Sequence, residues 1–252
     1  GARMTDGPNA LGFDYFYGFT HSRKHYLKHD DALEAIEQVN IKTAGNGGNS
    51  INPSGFWQNK KRVKAEGFST EIFGEQARGF MEKHKDEPFF VQLSFNAVHT
   101  FTHQLPEEYL KKKKLKGYHD FDPLTEDYIT WNFGAKRPQN KEGRALYLGQ
   151  LHYLDQEIGK ILEFLDTENL RDNTVIAFIS DNGGSPANFA NNDPLREGKF
   201  SLYEGGTRVP FLMSWPGQFA KEKVLNNLVS MLDIFPTLCS AAGVSYGFTD
   251  GI

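Results

Sequence analysis

Residues 144–184 read RALYLGQLHYLDQEIGKILEFLDTENLRDNTVIAFISDNGG, and this stretch decides the fold class. From about Arg144 to Leu165, Leu151, Leu154, Ile158, Ile161, Leu162 and Leu165 recur at 3.6-residue spacing, which predicts an amphipathic helix. Asp172-Asn173 supplies a turn. Val175-Ile176-Ala177-Phe178-Ile179 is short and wholly apolar, as in a strand buried on both faces. Asp181-Asn182-Gly183-Gly184 follows at once.

Working outward, a second helix is expected from about Ser69 to His84. Ile72, Phe73, Ala77, Phe80 and Met81 lie on one face, Ser69 or Thr70 is a candidate N-cap, and Pro88 lies beyond its end. Phe89 to Phe95, FFVQLSF, reads as another buried strand, and Val209 to Met213, VPFLM, as a third. A last helix begins near Asp233, which can cap it; Pro236 falls in its first turn and Gly243 closes it. Residues 1–67, with the Gly45–Asn49 and Pro53–Gly55 tracts, and residues 104–143 read as loops, and Lys111–Lys114 as a solvated face. No internal repeat is visible. Helix and buried strand alternate twice, so the expected class is α/β with a mostly parallel central sheet flanked by helices.

Composition narrows the function. The 252 residues carry 28 Lys plus Arg against 32 Asp plus Glu, a net charge of −4, with 38% hydrophobic residues. That excludes collagen, coiled coil and long disordered chain. The acidity argues against a nucleic-acid partner, and no apolar run approaches membrane-spanning length. The single cysteine, Cys239, supports neither an internal disulfide nor a Cys-rich zinc site.

In open α/β sheets, ligands collect beyond the carboxyl ends of the strands. Asp181 and Asn182 stand at one such end and offer two hard oxygens suited to calcium or magnesium; the same residues also read as a tight turn. His99 and His103 follow another strand end. His99 suits a hydrogen-bonded structural group or a proton donor to an anion. Lys199, in the glycine-flanked stretch REGKFSLYEGG (196–206), suits a surface cation or a contact to an oxyanion. Together these groups describe a metal-plus-cation pocket for a tetrahedral oxyanion.

Five segments in order also resemble the type I sulfatases of the alkaline phosphatase superfamily. Gly12–Phe19, GFDYFYGF, is similar to the family's GFDxFYGF. Pro88–His99, PFFVQLSFNAVH, is similar to a strand ending N-A-P-H, with Val98 in place of proline. Tyr153–Gly184 resembles its long helix and S-D-N-G loop, and Pro194–Pro210, PLREGKFSLYEGGTRVP, its PLRGGKGSxYEGGxRVP signature. Ser230–Gly243 resembles its S-x-x-D-x-x-P-T segment.

The resemblance implies that Asp181 and Asn182 ligate a divalent cation, usually calcium. It implies that His99 and Lys199 are catalytic residues that contact the sulfate, and it leaves His103 as a substrate contact. The family's nucleophile is a formylglycine made from Cys or Ser in a C/S-x-P/A-x-R motif, which residues 1–252 do not contain. The paired N-terminal aspartates that complete the metal site are not found either. The chain is thus expected to be an incomplete catalytic domain over 1–252, lacking the C-terminal subdomain and inactive alone. The implied substrate is a sulfated small molecule or glycan, without a nucleic-acid or membrane partner, in a periplasmic, secreted or lysosomal setting. Alternatives are a phosphomonoester or phosphonate hydrolase of the same superfamily and a non-catalytic binder of sulfated glycans. Tyr26, Phe56, Trp57, Tyr118 and Trp131 are read as core residues, with sugar stacking as the alternative.

Overall fold

Strand β4 (Ile176–Ile179) pairs with strand β5 (Phe211–Ser214), setting Phe178 opposite Leu212 in an antiparallel ladder. The computed structural model describes residues 7–19, 26–27, 56–119, 121–122, 124–127, 130–131, 134 and 141–251. The Gly45–Asn49 and Pro53–Gly55 tracts lie outside the described residues. The chain divides into two units, residues 1–161 with 187–190, and 162–186 with 191–252.

The first unit holds a three-stranded antiparallel sheet, β1 (Tyr17–Gly18), β2 (Phe56–Gln58) and β3 (Lys61–Val63). The β2–β3 hairpin turns at Asn59, whose φ of 54° is left-handed, a conformation Asn tolerates. Helix α1 (Ser69–Lys83) buries Thr70, Phe73, Gly74, Ala77 and Met81, the i, i+3/i+4 stripe expected of it. Its N-cap is Phe68, not Ser69 or Thr70, and no side chain caps it. The Ser69 hydroxyl instead donates to Asn96 Oδ1 at 3.4 Å. A short helix, α2 (Glu107–Lys113), lies within the stretch expected to be loop. Lys111–Lys114 are exposed as expected, and Lys111 pairs with Glu107 one turn earlier at 2.7 Å.

Helix α3 (Gly143–Thr167) starts in this unit. Its buried stripe runs through Leu146, Gly149, Gln150, Tyr153, Leu154 and Glu157, whereas Leu151 is 43% exposed. Counting only apolar residues finds Leu154 and Leu165, which are buried, but takes in Leu151 and passes over two polar members of the stripe, Gln150 and Glu157. Gln150 donates to the Gln104 carbonyl at 2.8 Å, and Glu157 accepts from Arg78 at 2.8 Å and Lys160 at 2.5 Å. Tyr26, Phe68, Leu105, Leu146 and Tyr153 form one core cluster; Phe101, Phe121 and Trp131, with Tyr118 against them, form another. Tyr26, Phe56 and Trp131 are therefore core residues, as read from the sequence.

Phe89–Phe95 is extended, but no ladder pairs it among the described residues. Residues 89, 91, 93 and 95 are half-buried and 90, 92 and 94 exposed, so it is not a strand buried on both faces. Residues 90–94 border a cavity of about 320 Å³ lined also by Phe13, Tyr15, Phe73 and Phe80.

In the second unit, β4, a four-residue helix α4 (Glu204–Thr207), β5 and helix α5 (Ile234–Ala241) follow in order. The ladders among the described residues, β4–β5 included, are all antiparallel, where a mostly parallel sheet was expected. The physical reason is the connection. A parallel neighbour needs a crossover packed on the sheet, and residues 180–210 fold instead into a tight loop system with one turn of helix. Helix α5 has Asp233 at its N-cap, as expected but with no side-chain cap bond, and is preceded by a 3₁₀ turn, Met231–Asp233, capped by Ser230. Its hydroxyl accepts from the Leu232 N–H at 3.3 Å while Asp233 accepts from the Ser230 N–H at 2.7 Å. Asp233 is thus the far half of a capping box. Pro236 does lie in the first turn, and Gly243 (φ 67°) follows the helix end.

Candidate active site

The loop after β4 is built by backbone groups. Ser180 donates its N–H to the Pro210 carbonyl at 3.3 Å, and its hydroxyl turns the chain by donating to the Asn182 carbonyl at 2.9 Å. Gly183 N–H then donates to the Gly206 carbonyl at 2.9 Å, and Lys199 N–H donates to the Gly184 carbonyl at 3.1 Å. Asn192 clamps Gly184 from the side, accepting its N–H at 3.0 Å and donating to its carbonyl at 2.9 Å. Asp181, Asn182 and Lys199 are thereby carried on two loops stitched to each other.

Four glycines make this possible by what they lack. A Cβ on Gly183 would overlap the Gly205 carbonyl, and one on Gly205 the carbonyls of Arg196 and Glu197. A Cβ on Gly206 would overlap the Ser201 carbonyl, and one on Gly198 the Gly184 carbonyl. None of the four has a left-handed φ, so close approach is what each glycine provides here. The left-handed positions of this loop belong instead to Glu197 (φ 65°) and Phe200 (φ 75°), which flank Gly198-Lys199.

Asp181 is exposed, and Asn182 and Lys199 are half-buried. Neither the Asp181 nor the Asn182 side chain makes a hydrogen bond among the described residues, so two adjacent oxygens stay open to a cation. In kind they fit a hard divalent ion. They supply two ligands only, since no group of three or more His, Cys, Asp or Glu residues is placed to hold a metal among the described residues. The Lys199 ammonium lies 5.5 Å from the centroid of the Phe200 ring, and the Arg196 guanidinium stacks over Tyr203 at 3.7 Å.

His99 and His103 belong to the first unit. His99 is half-buried, and its backbone is held by Tyr26, which the sequence marks as a core residue or a sugar-stacking one. The Tyr26 hydroxyl accepts the His99 N–H at 3.0 Å and donates to the Asn96 carbonyl at 2.7 Å. Burial raises the Tyr26 pKa well above the ordinary phenol value, so the hydroxyl keeps its proton and can play both parts. Only three-dimensional proximity links Tyr26 to His99, so no local motif could have signalled the pairing.

His103 is 2% exposed, and its ring packs against Phe101, Tyr118 and Trp131. Neither ring nitrogen has a hydrogen-bond partner among the described residues. Desolvation pushes its pKa down to about 3, with His119 nearby adding to the effect. The imidazole is therefore neutral and enclosed by aromatic side chains of its unit.

The Sulfatase family model matches residues 2–244. The chain is similar to the human N-acetylgalactosamine-6-sulfatase, 38% identical over 181 residues, covering 70% of this chain and 29% of that protein. It is also similar to the uncharacterized sulfatase YdeN of Escherichia coli (strain K12), 27% identical over 242 residues, 94% of this chain and 34% of that one. Among solved structures, Ps i-CgsB superposes with a TM-score of 0.75 at 31% identity, covering all of this chain and 51% of that one. Its complex with k-i-k-neocarrahexaose gives a TM-score of 0.74. The chain thus spans about a third of those two relatives and half of that structure. No helix among the described residues is long and apolar enough to cross a membrane. With the family match running along nearly all of its residues and the fold shared with a sulfatase over its whole length, the chain belongs to the type I sulfatases of the alkaline phosphatase superfamily, with their α/β fold.

Proposed function

We propose that this chain carries the sulfate-binding part of a sulfuric ester hydrolase acting on sulfated carbohydrate. The observation that carries the reading is the hydrogen bond from Lys199 N–H to the Gly184 carbonyl, which seats a cationic side chain beside the Asp181-Asn182 loop. Relatives whose names specify sugar sulfates support the substrate class. They include N-acetylgalactosamine-6-sulfatase of human and N-acetylgalactosamine-6-O-sulfatase of Bacteroides thetaiotaomicron. The neocarrahexaose complex of Ps i-CgsB points the same way.

In this reading Lys199 holds a sulfate oxygen as a point charge and opposes the charge that develops as the S–O bond to the alcohol breaks. For His99, which belongs to the first unit, the family resemblance implies the donation of a proton to the leaving alcohol. Asp181 and Asn182 are the residues that would hold a divalent cation, calcium or magnesium, which would supply charge neutralisation to the sulfate. The attacking oxygen is assigned to none of these residues. The 252 residues therefore bind a sulfate ester without turning it over. A periplasmic, secreted or lysosomal setting is part of the same proposal.

The test is calorimetric titration of the chain with N-acetylgalactosamine 6-sulfate in calcium, with released sulfate followed by ion chromatography. Binding that is lost in Lys199→Ala, without sulfate release, is the expected result. Absence of binding, or binding unaffected by Lys199→Ala, overturns the reading; sulfate release above the Lys199→Ala control overturns the claim of inactivity alone.

A further inference from the structure

Phe200 stands beside Lys199 in a backbone conformation that suits glycine. Its φ is 75°, in the left-handed region where an aromatic side chain is strained, and the signature quoted above carries glycine at this position. The ring gains no burial in return, since Phe200 is 95% exposed and Leu202 96%. The backbone on both sides is pinned, Lys199 N–H to the Gly184 carbonyl and Ser201 N–H to the Gly198 carbonyl, each at 3.1 Å. Tyr203 N–H also donates to the Ser201 hydroxyl at 3.1 Å. A large apolar ring next to a cation thus sits at a strained backbone position without burial to offset the cost. It is well explained by a ligand that is apolar on one face and anionic at one end.

We propose that Phe200, with Leu202 beside it, is a carbohydrate platform. The C–H face of a sugar ring lies on the Phe200 ring while the sulfate that the sugar carries is held at Lys199, 5.5 Å from the ring centroid. This deepens the sulfate-ester reading and depends on it for the anchoring of the anion. It assigns a discriminating role, since the platform recognises the sugar and Lys199 the sulfate. Phe200 is then a specificity residue that separates sulfated saccharides from other sulfate esters lacking a stackable ring.

Calorimetric titrations of the chain with a sulfated neocarrahexaose, with the same hexasaccharide desulfated, and with inorganic sulfate test it. In Phe200→Gly, the ratio of hexasaccharide affinity to sulfate affinity should fall about tenfold. Phe200→Trp should restore it. Phe200→Gly relaxes the left-handed backbone, so its thermal midpoint should not drop, and a weakened affinity is then not a folding defect. An unchanged ratio in Phe200→Gly, or a wild-type chain that binds sulfate but not the hexasaccharide, overturns the platform and leaves the sulfate site standing. A wild-type chain that binds neither, or Lys199→Ala with undiminished sulfate affinity, overturns the sulfate reading.

Discussion

The Gly183 N–H donates to the Gly206 carbonyl at 2.9 Å, and the space that a Cβ on Gly183 would need is already filled by the neighbouring Gly205 carbonyl. The loop bearing Asp181 and Asn182 is therefore fastened backbone to backbone to the segment that follows Lys199. Gly183→Ala should force the two apart, destabilising the protein by about 1–3 kcal/mol as overpacking does. Sulfate affinity should weaken with it. Chemical denaturation and sulfate titration of the same variant check both, and a stable variant with undiminished affinity would show that the stitching does not organise the site.

Tyr26 and His99 give a second prediction. Tyr26→Phe removes the oxygen that accepts the His99 N–H and donates to Asn96, leaving two backbone groups short of partners. A loss of about 1–3 kcal/mol is expected. Amide exchange at His99 should quicken by more than at amides elsewhere in the unit. Uniform exchange across the unit would mean that Tyr26 acts only as bulk.

Glu157 is 1% exposed and holds Arg78 and Lys160 from the buried stripe of α3, directly over Gly74 of α1. Glu157→Gln keeps the shape and discards the charge. Because both cations reach solvent, 21% and 49% exposed, the cost should lie near 2 kcal/mol rather than at the upper end for a sealed ion pair. Urea denaturation measures it, and a neutral outcome would demote the cluster to a surface pair.

His103 makes stability depend on pH. Its folded pKa, about 3, lies below the ordinary value of 6.5, so below pH 6.5 the unfolded chain takes up a proton that the folded chain refuses. The contribution is whole above pH 6.5 and is lost as pH falls toward 3. Between pH 7 and 5 it amounts to about 2 kcal/mol. His103→Phe should flatten the wild-type slope by that amount in denaturation series at the two pH values. Equal slopes would place the imidazole in water.

What the sequence disclosed and what it hid follow from the range of the interactions. Helix α1 was legible because its apolar residues alone mark the buried face, and β4 because its apolar run ends on Asp181-Asn182. The stripe of α3 was legible in part: Leu154 and Leu165 are buried, but periodicity also counts Leu151 and passes over Gln150 and Glu157, whose burial depends on distant partners. The β2–β3 hairpin was hidden by Lys60, Lys61 and Arg62, and α2 by its lysines. The candidate site was legible as residue types in a motif. The overlaps that demand Gly183, Gly198, Gly205 and Gly206, and the left-handed seats of Glu197 and Phe200, are tertiary facts that no local pattern carries.

The central claim is that Asp181, Asn182 and Lys199 act as one site for a cation and a sulfate. The most direct measurement is the affinity of the chain for inorganic sulfate, with and without calcium, in wild type, Asp181→Ala, Lys199→Ala and the double variant. The account predicts that calcium tightens sulfate binding in wild type, that Asp181→Ala abolishes this calcium effect, and that Lys199→Ala weakens binding at least tenfold, equivalent to about 1.4 kcal/mol. The two losses should be non-additive in the double variant. Sulfate affinity indifferent to calcium and to both substitutions would contradict it.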